Sequence, residues 1–245
     1  MSEGIFQKYV DAHSHAHEYD VDFLKSLGNE FIIIAVSDDI QSSRRTIDLS
    51  ARFDFVKPCI GIHPWKIEMA NKEALKELET LLNEMDHPCL GEIGLDKKFV
   101  PSTYELQLRA FERFLQAARE NDAVINLHAA GAWQEVAELV IKKDISKALF
   151  HWYTGPPDLM YRLQDFGYFI SFNVAAVIQK KHAELIRTAK LDNVLTESDG
   201  PYTYRGQKLT TDRIPVLLEF LAKEVGIDLE KMREIVLKNA LKLLR

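Results

Sequence analysis

Cysteine is nearly missing from this chain, with two residues, Cys59 and Cys89, in 245. That pair makes no framework pattern, which excludes the small disulfide-stapled class and predicts free, buried thiols in a reducing compartment. Long apolar runs are missing too. No stretch approaches the ~18 residues of a membrane helix, and the opening MSEGIFQKYV is too polar for a secretory signal. The chain is therefore expected to be cytoplasmic and to meet no membrane. Nor is there a basic excess, since 31 Lys and Arg against 37 Asp and Glu leave a formal charge of −6. Such a balance argues against tight, sequence-blind binding to long nucleic acid but leaves room for a small cationic patch beside a site. No linker, low-complexity tract or charge block divides residues 1–245, which are expected to form a single domain with a sizeable core. Nothing argues for an obligate protein partner.

What the sequence does have is an alternation. Short apolar runs, β-branched or aromatic as buried strands are, occupy residues 9–16, 31–37, 55–64, 89–96, 123–129, 147–153, 168–174 and 193–200. Helical patterns fill the gaps. Leu75, Leu78, Leu82 and Met85 share one face, as do Leu108, Phe111, Leu115 and Ala118, and Ser102 with Glu105 has the spacing of a capping box. Two further helices are expected at 211–225 and 228–244. Eight strands alternating with helices predict a (β/α)8 TIM barrel with an additional C-terminal helix, within the α/β class. A doubly wound open sheet shares this periodicity.

The first run, YVDAHSHAH, places Asp11, His13, His15 and His17 at every second position, hence on one face of an extended strand. His63, Glu92, His128, His151 and Asp199 also fall late in their runs. In a barrel those C-terminal ends converge on one mouth, where active sites are built. The set His13, His15, Glu92, His128, His151 and Asp199 is too large for one tetrahedral zinc and suits two divalent ions, with Zn, Mn, Ni or Mg all compatible. His17 reads as a nearby loop residue, His87 and His182 as surface residues. Asp11 reads as a partner that fixes a histidine ring, or as a cap or turn residue.

These segments, VDAHSHAH, GIHPW, GEIGLD, QLRAFERFLQAARENDAVINLHAA, HWYTG and LTESDGPY, occur in the order and at the spacing of the TatD family of metal-dependent hydrolases. The resemblance runs from about residue 9 to the end and includes Asn239 in the closing LKNALKLL. It implies a barrel of the amidohydrolase-like superfamily that hydrolyses phosphodiesters, with DNase activity, often as a 3′-exonuclease. It also implies one metal held by His13, His15, Glu92 and Asp199. Glu92 would bridge to a second metal completed by His128 and His151, and His63 would lie near the substrate phosphate. The chain departs from the family in NLHAAGAW, where an arginine commonly follows the histidine. HWYTG replaces HCFSG, and ESD replaces ETD while keeping Glu197 and Asp199.

The expected chemistry is attack by a metal-activated water, with Asp199 as general base, Glu92 as bridge and His63 donating to the phosphate. Substrate contacts are expected from His63, Arg205 and Tyr202, on DNA or a small phosphoester. Arg44, Arg45, Lys97, Lys98 and Lys208 are further cation candidates, and Trp65, Trp152, Tyr153 and Tyr204 further aromatic ones. The same ligands would serve an amidohydrolase or a small-molecule phosphoesterase. A non-enzymatic metal- or nucleotide-binding barrel is a third reading, which a lost ligand would usually mark.

Overall fold

The computed structural model describes residues 8–245, so most of the polar stretch read against a signal peptide lies outside the described residues. Eight strands form inside the eight apolar runs: β1 (Tyr9–Ser14), β2 (Phe31–Ala35), β3 (Val56–Pro58), β4 (Cys89–Gly94), β5 (Val124–His128), β6 (Ala148–Phe150), β7 (Phe169–Asn173) and β8 (Val194–Glu197). Between them run α1 (Val21–Leu27), α2 (Ile40–Arg52), α3 (Lys72–Asn83), α4 (Tyr104–Glu120), α5 (Trp133–Lys142), α6 (Pro157–Asp165) and α7 (Lys180–Thr188). The chain closes with α8 (Ile214–Val225) and α9 (Leu229–Leu243). Strands β2, β5 and β7 are buried along their whole length, which is why they read as continuous apolar runs. No helix among the described residues is long and apolar enough to cross a membrane.

The chain divides into two compact units. The first gathers the chain up to Ala35, Arg52–Lys57 and His151–Arg245. In it β1 pairs parallel with β2, and β7 with β8. The end of β1 is also sewn to the segment after β8: Asp199 N–H donates to the His13 carbonyl (2.9 Å) and His15 N–H to the Gly200 carbonyl (2.8 Å). Asn239 on α9 donates its side-chain amide to the carbonyls of Leu191 (2.6 Å) and Val194 (2.8 Å), which fixes the entry to β8. The second unit comprises Val36–Ala51 and Pro58–Phe150. Here β4, β5 and β6 are consecutive parallel neighbours, and Ile60 bridges to Leu90 on β4.

Three expectations are corrected. Cys59 and Cys89 are joined in a disulfide rather than free, because the Ile60–Leu90 bridge brings their Cα atoms to 4.5 Å. The Ser102–Glu105 capping box does not form. Pro101–Thr103 instead makes a 3-10 turn, and Thr103 precedes α4 without a side-chain cap. His182 is buried, not on the surface. One element was not anticipated, a hairpin of β9 (Tyr202–Tyr204) and β10 (Gln207–Leu209). Its two-residue turn, Arg205–Gly206, has φ of 49° and 79°, the conformation of a type I′ turn.

Candidate metal centre

In the first unit His13, His15, His151 and Asp199 come together. The β1 register shifts between Asp11 and Ser14, an irregularity of the kind that re-aims a side chain, and His13 lies within it. His13 Nε2 and His15 Nε2 each lie 3.3 Å from Asp199 Oδ1. The His151 ring stacks on that of His13, with centroids 3.8 Å apart and planes 11° apart. Burial would raise the Asp199 carboxyl, but the two imidazoles outweigh it and hold the group well below the usual carboxylate range. Asp199 itself has φ of 55°, a rare backbone state for a non-glycine residue. Asp11 stabilises that segment: its buried carboxylate accepts from Ser198 N–H (2.8 Å), Ser198 Oγ (2.6 Å) and Thr211 Oγ1 (2.7 Å). Asp11 thus ties β1 to the loop bearing Asp199, and burial pushes its carboxyl up to about 6.

Behind His151 sits Glu197, which sequence reasoning noted but gave no role. Its Oε1 is 3.4 Å from His151 Nδ1, and it accepts from Ser171 Oγ and Asn173 Nδ2. Burial pushes the Glu197 carboxyl up, and the His151 imidazole, helped by His13, outweighs this and brings it down. His13, His151 and Glu197 each offer a donor atom within 4.8 Å of the others. His17 lies in the 3-10 turn after β1, its ring edge-on to that of His15.

In the second unit Glu92, His128 and His63 meet. Glu92 lies where the β4–β5 register shifts, between Leu90 and Ile93. Its Oε1 is 2.6 Å from His128 Nδ1 and 3.2 Å from His63 Nε2. The three residues offer donor atoms within 4.8 Å of one another. His63 precedes the 3-10 turn Pro64–Met69, and its Nδ1 accepts from Trp65 N–H (3.1 Å). An accepting Nδ1 carries no proton, so the neutral ring bears it on Nε2 and can donate there. Burial lowers the His63 pKa further than Glu92 raises it, which keeps the ring neutral.

Asp96, the last residue of GEIGLD, was overlooked. Oδ2 takes His128 Nε2 (3.1 Å) and the Trp65 indole N–H (2.6 Å), while Oδ1 takes the N–H groups of Lys98 (2.8 Å) and Phe99 (2.7 Å). Burial alone would lower the His128 pKa, but Asp96 and Glu92 together raise it to about 9. Gln107 on α4, fully buried, fixes the Asp96 backbone. Its Oε1 accepts from Asp96 N–H (2.7 Å) and its Nε2 donates to the Val100 carbonyl (2.8 Å). This bond network holds the turn that leads into α4, where the capping box was expected to mark the helix start.

Such a donor set fits divalent metal. The donors are imidazole nitrogens and carboxylate oxygens, the types that bind Zn, Mn and Ni. His128 and His151 are each braced by a carboxylate, Asp96 and Glu197, as ligating histidines commonly are.

The candidate substrate contacts divide. Arg44 is ion-paired with Glu77, and Lys97 with Glu135. Tyr153 is fully buried with its hydroxyl on the Pro156 carbonyl (2.6 Å), so it is a wall residue and not a stacking one. Trp152 stands edge-on to Tyr202 and Tyr204, and Arg205 lies over the Tyr204 ring. Lys208 pairs with Thr203, which alternation puts on the opposite face of the hairpin from Tyr202 and Tyr204.

A family model described as TatD related DNase matches residues 10–245. An uncharacterized metal-dependent hydrolase of Methanocaldococcus jannaschii is 26% identical over 96% of this chain and 96% of its own. The human deoxyribonuclease TATDN3 is 26% identical over 96% of this chain and 93% of its own. Among solved structures, the TatD homolog YJJV from Escherichia coli superposes with a TM-score of 0.89 over 98% of each chain, at 20% identity. That likeness shows the fold to be the TIM-barrel-like α/β fold expected from the strand–helix alternation, and not the doubly wound sheet.

Proposed function

The chain belongs to the TatD family of metal-dependent hydrolases, and from that premise we propose that it cleaves phosphodiester bonds of DNA, as a 3′-exonuclease, in the cytoplasm. The proposal takes residues 1–245 as one hydrolase domain. Two divalent ions are held by His13, His15, Glu92, His128, His151 and Asp199 in the arrangement the family resemblance implies. The observation that carries the reading is the bracing of His128 by Asp96 and of His151 by Glu197. Buried imidazole–carboxylate pairs of this kind orient a ligand ring and raise its basicity.

When bound, the metal supplies a water of lowered pKa and charge stabilisation on the attacking and leaving oxygens. The chain's residues do the rest. Asp199, ionised beside His13 and His15, accepts the proton of the attacking water. His63 donates its Nε2 proton to a phosphoryl oxygen, where negative charge grows. Arg205 and Tyr202, on the hairpin that follows Asp199, contact the polynucleotide backbone and a base. A second reading, a small phosphoester or amide substrate, has one feature in its favour. Ala129, Ala130 and Gly131 follow His128 where relatives commonly carry an arginine, and the neighbouring Lys97 is engaged by Glu135.

The test is end-labelled single-stranded DNA with metal-stripped protein, adding back Mg, Mn, Zn and Ni separately, with Glu92→Ala alongside. The expected result is metal-dependent laddering from the 3′ end that falls about 100–1,000-fold in the variant, the scale of removing a charge-stabilising catalytic group. Full activity in Glu92→Ala would remove this site from consideration. A folded, metal-loaded protein that leaves DNA intact but hydrolyses a nitrophenyl phosphoester or an amide would establish the second reading.

A further inference from the structure

Two large aromatic side chains of the second unit are left in the open. Trp65 is 52% exposed and Phe99 is 58% exposed, yet their rings contact each other edge to face with centroids 5.8 Å apart. Neither position is loose. The Trp65 indole N–H is bonded to Asp96 Oδ2, and the Phe99 backbone N–H to Asp96 Oδ1, so one buried carboxylate anchors both residues. The inner edge of the pair reaches the candidate centre, because the Trp65 ring lies edge-on against His63 at 5.4 Å. Its outer edge carries a cation, with Lys98 Nζ 4.8 Å from the Phe99 ring centroid. An exposed apolar pair, fixed by buried hydrogen bonds and flanked by a proton donor and an ammonium, is arranged for a flat ring joined to an anion.

We infer that Trp65 and Phe99 form a stacking platform for an unpaired nucleobase next to the phosphate that His63 contacts, with Lys98 on the neighbouring phosphate. This rests on the phosphodiester reading above and adds the recognition of the base. Every base offers a π face, so the platform selects for the presence of a base and not for its identity. Phe99 makes its bond to Asp96 through the backbone, which survives truncation of the ring. It is therefore the variant that separates stacking from support of His128.

The experiment compares kcat/KM of the metal-loaded enzyme on an oligothymidylate with that on the same strand made abasic at its terminal nucleotides. Phe99→Ala is expected to lower the intact-to-abasic ratio about ten-fold, the size of one base–aromatic stack, with the change in KM. Trp65→Ala should lower the ratio similarly, and Trp65→Phe should restore most of it. Equal losses on both strands would mean that the rings only support Asp96, which overturns the platform. If no strand is cleaved with any metal, the nuclease reading fails on its own, and binding then decides the platform. Tighter quenching of tryptophan fluorescence by the intact strand, abolished by Phe99→Ala, upholds it, and equal affinity for the two strands rejects it.

Discussion

Asp96 shows how much one side chain can organise. Two oxygens accept four hydrogen bonds, from an imidazole, an indole and two backbone amides, and so set the ring of His128 and the path of the loop after β4 together. Asp96→Asn keeps the shape but replaces one acceptor by a donor, so the Nε2 side of His128 and the Trp65 indole lose their shared acceptor. Metal affinity, followed by titration against a chromophoric chelator, is expected to fall 10–100-fold, with the fold retained by circular dichroism. Unchanged affinity would show that His128 needs no brace. Asp96 was hard to see in the sequence because an aspartate at a strand end resembles any turn residue. Its role depends on Trp65, 31 positions away, and His128, 32 positions away, turning toward it. Asp11, in contrast, reads from the sequence either as a partner of a histidine ring or as a cap or turn residue, and it is the second role that its bonds to Ser198 and Thr211 fill.

Strands were the most legible elements, because burial on both faces leaves a continuous apolar signature that short β-branched runs carry by themselves. The hairpin was not legible. YTYRGQKL has no alternating apolar face beyond its tyrosines and Leu209, and its turn relies on Arg205 adopting a positive φ that its side chain does not advertise. The helix start at α4 was misread for a related reason. A capping box is a local pattern, whereas the loop is closed by Gln107 reaching back to Asp96 and Val100 from inside the helix. Glycine marks the tightest element contact. Gly94 at the end of β4 has φ of 147°, and a Cβ there would lie 1.9 Å from the His128 carbonyl oxygen. Gly94→Ala must push β4 and β5 apart where Glu92 and His128 meet. It is expected to cost at least about 3 kcal/mol in urea denaturation and to abolish metal-dependent activity. A stable, active variant would mean that this strand pair can separate without consequence for the site.

For the molecule as a whole, stability should carry the imprint of a histidine that the sequence placed outside. His182 is buried, and neither ring nitrogen has a hydrogen-bond partner among the described residues. Burial lowers its pKa to about 4, against a weaker opposing pull from Glu197. The unfolded chain takes up this proton near pH 6.5 and the folded chain only near 4, so His182 costs stability progressively as pH falls through that window. His182→Leu removes the effect. Denaturation of metal-free protein should show the variant gaining on the parent by about 3 kcal/mol between pH 7 and 4; a constant difference would place the ring in contact with water. The first unit has another property that follows from how β1 is sewn to residues 199 and 200. His13 and His15 leave the ribosome early, and the carboxylate that faces them arrives some 180 residues later. A nascent or truncated chain that lacks residue 199 therefore displays these two imidazoles without the aspartate that faces them, and cannot become a hydrolase by halves. Synthesis itself acts as a timer: at about 5–20 residues per second, roughly ten to forty seconds pass in which the first histidines wait for the aspartate that completes their site.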